Sequence, residues 1–166
     1  MTRTFRDLLI DGLRDAYSAE QHLLNALPEM VRAARARKLS QHLQAHIATA
    51  ETHITRLCGI FEALGEAPEG KVSLPMEGLV TESQKLAQEG LEPDVLDAAL
   101  IASAHKIAHY EMAAYGSLCG FAEALGEAKA AKALRASFTD EKKFDAGLTA
   151  LTRGGTPAKP KKKRSD

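Results

Sequence analysis

The strongest constraint in this chain is a spacing. Leu39, Leu43, His46, Ala50, His53, Leu57, Ile60 and Leu64 recur every three or four positions, which lines them along one face of an α-helix. The same rhythm runs through Leu13, Ala16, Glu20, Leu24 and Leu27, through Ile101, Ala104, Ala108, Glu111, Tyr115 and Leu118, and through Leu134, Ser137, Glu141, Phe144, Leu148 and Leu151. Extended alternating runs of Val, Ile and Thr are missing and aromatic residues are 5% of the chain, so strands have little support. The fold class is all-α: four long helices that must bury their stripes against one another.

Local signals place the ends of these helices. Thr4 is a cap candidate for the first, and Pro28 is expected to bend or break it. The second is expected from Arg37 to Leu64, stopped by Gly65. Pro93 opens the third and Gly126 stops it; the fourth finishes before Gly154. Between Gly70 and Gly90, Pro75 and a short amphipathic segment, Met76 to Gln88, read as a connection with its own helix. The segments LCGIFEALGEA (Leu57 to Ala67) and LCGFAEALGEA (Leu118 to Ala128) echo one another, and both end a helix at glycine. Two tight turns flanking one long crossover describe a four-helix bundle with a short extra helix in the crossover.

With 166 residues, the chain is long enough for one substantial core, assigned to residues 1–153. The formal net charge of zero hides an asymmetry: Pro157 to Asp166 holds five basic residues against one acidic, a net +4, which leaves −4 for residues 1–156. Residues 154–166 are expected to form a disordered basic tail, simply solvated, with contact to nucleic acid or an acidic partner as the less supported use. Charged residues throughout Met1 to Ala16 argue against a signal-peptide core, and no apolar run is long enough to span a membrane, so a cytoplasmic location is expected. Cys58 and Cys119 lack metal-motif spacing and are expected to be reduced core thiols.

The informative positions are polar residues on the apolar stripes. Glu20, Glu111 and Glu141 interrupt three helices, and His46 and His53 interrupt the remaining one seven residues apart. Any one of them alone reads more readily as a glutamate reaching water or a hydrogen-bonded core histidine. Converging from four helices, however, three carboxylates would repel one another unless protonated or bound to a cation, and a divalent metal or a pair of them is the simplest neutralising partner. His42 and His46, like His105 and His109, are i, i+4 pairs whose spacing also suits chelation, although His22 and His42 are expected to be exposed. No GxSxG, P-loop, CxxC or HExxH pattern is present, which leaves hydrolase and nucleotide-dependent readings without support.

The stretches DAYSAEQHL (Asp15 to Leu23), LSQHLQAH (Leu39 to His46), MEGL (Met76 to Leu79), DAALIASA (Asp97 to Ala104), HYEMAAYGS (His109 to Ser117) and DEKKFDAGL (Asp140 to Leu148) resemble the YciF-like family of small bacterial ferritin-like stress proteins. The resemblance implies a ferritin-like, rubrerythrin-like bundle, usually a homodimer, with a dinuclear carboxylate site of the iron type. Met76 to Gln88 and the outer side of the first helix are the candidate dimer surfaces. Glu20, Glu111 and Glu141 match the family's ligands, with Asp145 one turn after Glu141. The family pattern has glutamate where this chain has Thr49 and Ala108, and His53 and His105 stand within about one turn of those losses. The expected metal ligands are therefore Glu20, His53, His105, Glu111 and Glu141, with both imidazoles turned inward. Iron is the expected ion, one or two per chain, with manganese or zinc as alternatives and oxidase or peroxide handling as the activity. The competing expectation is a metal-free structural or interaction protein whose di-iron site has decayed.

Overall fold

The computed structural model describes residues 4–154, which form helices and, among those residues, no strand. The elements are α1 (Phe5–Ala33), α2 (Arg37–Leu64), α3 (Leu74–Gln88), α4 (Pro93–Ala124) and α5 (Ala128–Gly154). Thr4 caps α1 reciprocally: its hydroxyl accepts from the Asp7 amide at 3.1 Å while the Asp7 carboxylate accepts from the Thr4 amide at 2.8 Å. The two echo segments end alike, at Gly65 with φ 67° and Gly126 with φ 74°, the left-handed conformation in which a Cβ is penalised. In each, the glycine amide and the one after it donate back to the last turn, at 3.2 and 3.0 Å after α2 and 3.0 and 2.9 Å after α4.

Pro28 does not break α1, which runs on to Ala33. An interior proline costs about 3 kcal/mol. The extra turn buries Met30 beside Leu27, and each such side chain removed from water returns about 1.5–3 kcal/mol. Tertiary burial therefore outweighs the local penalty.

The α1–α2 and α4–α5 hairpins pack side by side, with α1 on α4 and α2 on α5, while α3 lies across α1 and α4. Two apolar clusters result. One holds Leu23, Leu27, Leu39, Leu43, Leu100, Ile107 and Leu148 together with Met76 and Val80 of α3. The other holds Leu9, Leu13, Leu57, Phe61, Leu118 and Leu134. Along every long helix the inward polar residues fall where one cluster gives way to the other, so a polar layer divides the core. Met76, Val80 and Ser83 of α3 are buried in this intramolecular packing, while Leu74 of α3 and Phe5 and Leu8 of α1 remain exposed. Cys58 is exposed, contrary to expectation, and Cys119 is buried. Of the basic tail only Gly154 is described, as the last residue of α5; the rest lies outside the described residues. Among the described residues no helix is long and apolar enough to cross a membrane.

The turn into α2 depends on a distant residue. Ala36, the N-cap, has no capping side chain, and Asp97 from α4 instead accepts from the amides of Arg35 and Ala36, both at 2.7 Å. Bonds to a charged acceptor are worth about 1.5–3 kcal/mol each when shielded and less at the surface. Asp97→Ala is expected to cost about 2 kcal/mol, lowering the thermal midpoint by about 4–8 °C in a calorimetric scan. An unchanged midpoint would mean that water substitutes for the carboxylate.

Candidate metal centre

Each long helix delivers its polar residue to the dividing layer because the apolar residues one turn to either side are packed. Glu20 is 1% exposed, His46 3%, His53 0%, Glu111 2% and Glu141 0%. His53 Nδ1 lies 2.8 Å from Glu20 Oε1, and the Tyr115 hydroxyl donates to the same oxygen at 2.5 Å. Glu20 is thus gripped from α2 and α4 together. The His53 and Tyr115 rings meet edge-on, with centroids 5.3 Å apart.

Beside this grip, one ligand-type atom from each of His46, Glu111 and Glu141 lies within 4.8 Å of the others. His46 Nε2 is 3.5 Å from Glu141 Oε1, and His53 Nδ1 is 3.7 Å from the same atom, which links the two groups. His46 stacks on Phe144 at 3.7 Å between centroids and 8° between planes, and that fixes its ring. At the rim, Asp140 stands 3.6 Å from His53 Nε2 and accepts from Arg56 at 2.7 Å.

The electrostatics of the layer follow from burial. Glu111 is held well above the usual carboxylate range, first by desolvation and then by the charges of Glu20 and Glu141. Glu141 is pushed up to about 8, first by desolvation and next by Glu20. Burial pushes His46 down to about 3, with the neighbouring His53 adding to it, so its imidazole is neutral. Burial alone would lower His53 as well, but its hydrogen bond to Glu20 and the charges of Glu20 and Glu141 outweigh that and hold it raised. Glu20 Oε2, both oxygens of Glu111, both oxygens of Glu141 and Nε2 of His46 and His53 are buried without a hydrogen-bond partner. Buried polar atoms seldom go unpartnered, and a set of carboxylate oxygens and imidazole nitrogens converging from four helices is the donor set of a divalent cation. The residues fit such an ion.

Of the expected ligands, Glu20, His53, Glu111 and Glu141 come together in the layer, and His105 does not. His105 turns to the α4–α5 edge, where its Nδ1 lies 2.6 Å from Asp145. The reason is rotational: the buried stripe of α4 runs through Ala104, Ala108 and Glu111, and residue 105 lies about 100° around the helix from Ala104. The inward histidine that accompanies His53 is His46. It interrupts the α2 stripe seven residues earlier, which was its signal in the sequence. Tyr115 and Asp140 carried no comparable signal, since their roles depend on neighbouring helices. His42, expected to be exposed, is half-buried and stacks on Phe144, with centroids 4.9 Å apart.

Comparison with known proteins places this chain in a family. Protein YciF of Escherichia coli is 39% identical over 150 residues, 90% of either chain. The crystal structure of the E. coli stress protein YciF superposes with a TM-score of 0.89 at 38% identity, covering 92% of this chain and 97% of that one. YcfI of Rhodopseudomonas palustris matches with a TM-score of 0.85 at 39% identity over 89% of this chain and 94% of its own. A two-domain protein of Anabaena variabilis, with DJ-1/ThiJ/PfpI-like and ferritin-like domains, matches at 0.68 and 20% identity over 99% of this chain and 42% of that one, a likeness of fold alone. With residues 4–160 matching the family described as a domain of unknown function, DUF892, the chain belongs to that family and carries its ferritin-like bundle.

Proposed function

We propose that this chain is a stress-associated metal protein that holds one or two divalent ions, iron foremost, among Glu20, His46, His53, Glu111 and Glu141. The observation that carries the reading is the set of buried, unpartnered carboxylate and imidazole atoms in the dividing layer. A redox-active ion bound there supplies electron transfer to or from dioxygen or peroxide. The chain's own residues prepare the place. Tyr115 and His53 fix Glu20, Phe144 fixes the plane of His46, and the apolar clusters on either side exclude water. Neutral His46 offers its nitrogen without first losing a proton.

Metal analysis of protein purified without chelator tests this. About one to two equivalents of iron, manganese or zinc are expected, on the donor count of the site, and a Glu20→Ala, Glu141→Ala double variant is expected to lose them. Free metal at 100-fold its Kd should add about 2.7 kcal/mol of stability to the wild type and none to the variant.

A metal-free scaffold is the second reading, and one observation favours it. Ala108, where the family pattern has glutamate, is fully buried among apolar residues, and the raised pKa of Glu141 and Glu111 suits a protonated, uncharged pair. Metal absent even after reconstitution, with an unchanged thermal midpoint, would select it.

A further inference from the structure

His105 and His109 sit one turn apart on α4 and both reach across to Asp145 of α5. His105 Nδ1 is 2.6 Å and His109 Nε2 3.1 Å from the same carboxylate oxygen, Oδ1. The three ligand-type atoms lie within 4.8 Å of one another. Unlike the dividing layer, this edge is open: the His105, His109 and Asp145 side chains are 29%, 66% and 22% exposed. Among the described residues no lysine or arginine pairs with Asp145, whose side-chain contacts are the two rings. None of the three residues belongs to the core group of His46, Glu111 and Glu141.

We propose that His105, His109 and Asp145 form a second, solvent-facing metal site on the α4–α5 edge, taking a borderline divalent ion such as zinc or copper(II). Two imidazoles and one carboxylate are the donor set such ions favour over the harder magnesium or calcium. The i, i+4 spacing presents both rings on one face, so a single helix supplies a chelate and the facing helix closes it. Around a tetrahedral ion with bonds of about 2.0–2.1 Å, neighbouring ligand atoms stand about 3.3 Å apart. From the present 2.6 and 3.1 Å, His105 Nδ1 and His109 Nε2 need to draw back from Asp145 Oδ1 by about 0.7 and 0.2 Å, which rotation of these partly exposed side chains can supply. Three protein ligands leave the remaining position to water, so the ion can exchange with solvent.

The bland account is that a surface carboxylate simply accepts hydrogen bonds from two histidines. Zinc binding by the full chain, measured by equilibrium dialysis, separates the accounts. In a Glu111→Gln, Glu141→Gln background that silences the core, one equivalent of zinc is expected to remain. Adding His105→Gln and His109→Gln should weaken it by more than about 100-fold, beyond the range that loss of an outer-shell partner brings. Copper(II) in the same background should show electron-spin splitting from two nitrogens, and none in the histidine double variant. Because all three side chains are at least partly exposed, circular dichroism is expected to show that variant folded. Zinc binding absent from the background, or undiminished without the histidines, would overturn the proposal. A failure of the core reading looks different: wild type and background would then bind equally.

Discussion

Replacing Glu111 and Glu141 together by glutamine is expected to stabilise the metal-free protein at pH 8 while abolishing its stabilisation by metal. Both carboxyls titrate high in the folded state, Glu141 at about 8, whereas an unfolded glutamate titrates near its ordinary value of 4.5. Between those values the folded chain keeps a proton that the unfolded chain has already released. Stability is therefore full below the unfolded value, falls as pH rises from about 4.5 towards 8, and levels off above the folded pKa. A tenfold change in proton affinity is worth about 1.4 kcal/mol, so the chelator-treated wild type should lose several kcal/mol across that range. Glutamine carries no charge at any pH and its amide can donate to a neighbouring carboxylate. The thermal midpoint of the variant, followed in chelator from pH 5 to 9, should fall less steeply than that of the wild type, with His53 supplying the remaining slope, and lie above it at the alkaline end. A lower midpoint throughout, with the same slope, would show that the carboxylates make native bonds that glutamine cannot replace.

The opposite effect is expected at His53. His53→Ala should destabilise the metal-free protein by about 3–5 kcal/mol, because it leaves Glu20 buried without its imidazole partner. The raised pKa of His53 means that its favourable contribution is fully present below about pH 6.5, the unfolded value, and declines as pH rises through the folded one. Urea titrations at pH 6 and pH 9 should therefore give a larger loss at the lower pH. His105→Ala, at the partly exposed contact with Asp145, should cost under about 1 kcal/mol. Equal losses at the two histidines would remove the distinction between a buried grip and a surface pair.

Much of the architecture was legible because its signals are local. The Thr4 cap, the glycine stops at Gly65 and Gly126 and the Pro93 start each act within a turn of the chain, and the boundaries of α2 match expectation residue for residue. Pro28 does not end α1 because its cost is local while the burial of Met30 that offsets it comes from the other helices. In the candidate site, Glu20, Glu111, Glu141 and His53 could be read from the stripes, since a polar residue in register with leucines must face the core. His105 could not be placed this way. It lies at the edge of the α4 stripe, where the side chain of a neighbouring helix decides its direction, and that side chain is Asp145. Tyr115 reads in sequence as one more large core residue; only the approach of α1 turns its hydroxyl into a donor for Glu20.

The polar layer between the two apolar clusters also bears on how the helices find their axial alignment. Stripes built mainly of leucine and alanine fit together almost as well after one helix slides past another by a turn, about 5.4 Å. A slide of that size would push Glu20, Glu111 or Glu141 out of the common level and into a purely hydrocarbon stratum. There the carboxyl would lose His53, Tyr115 or its facing carboxyl and be stranded at a cost of several kcal/mol. The layer thus works as a vernier, making one alignment of four otherwise slippery rods much lower in free energy than its near neighbours, whether or not an ion is present to reward it.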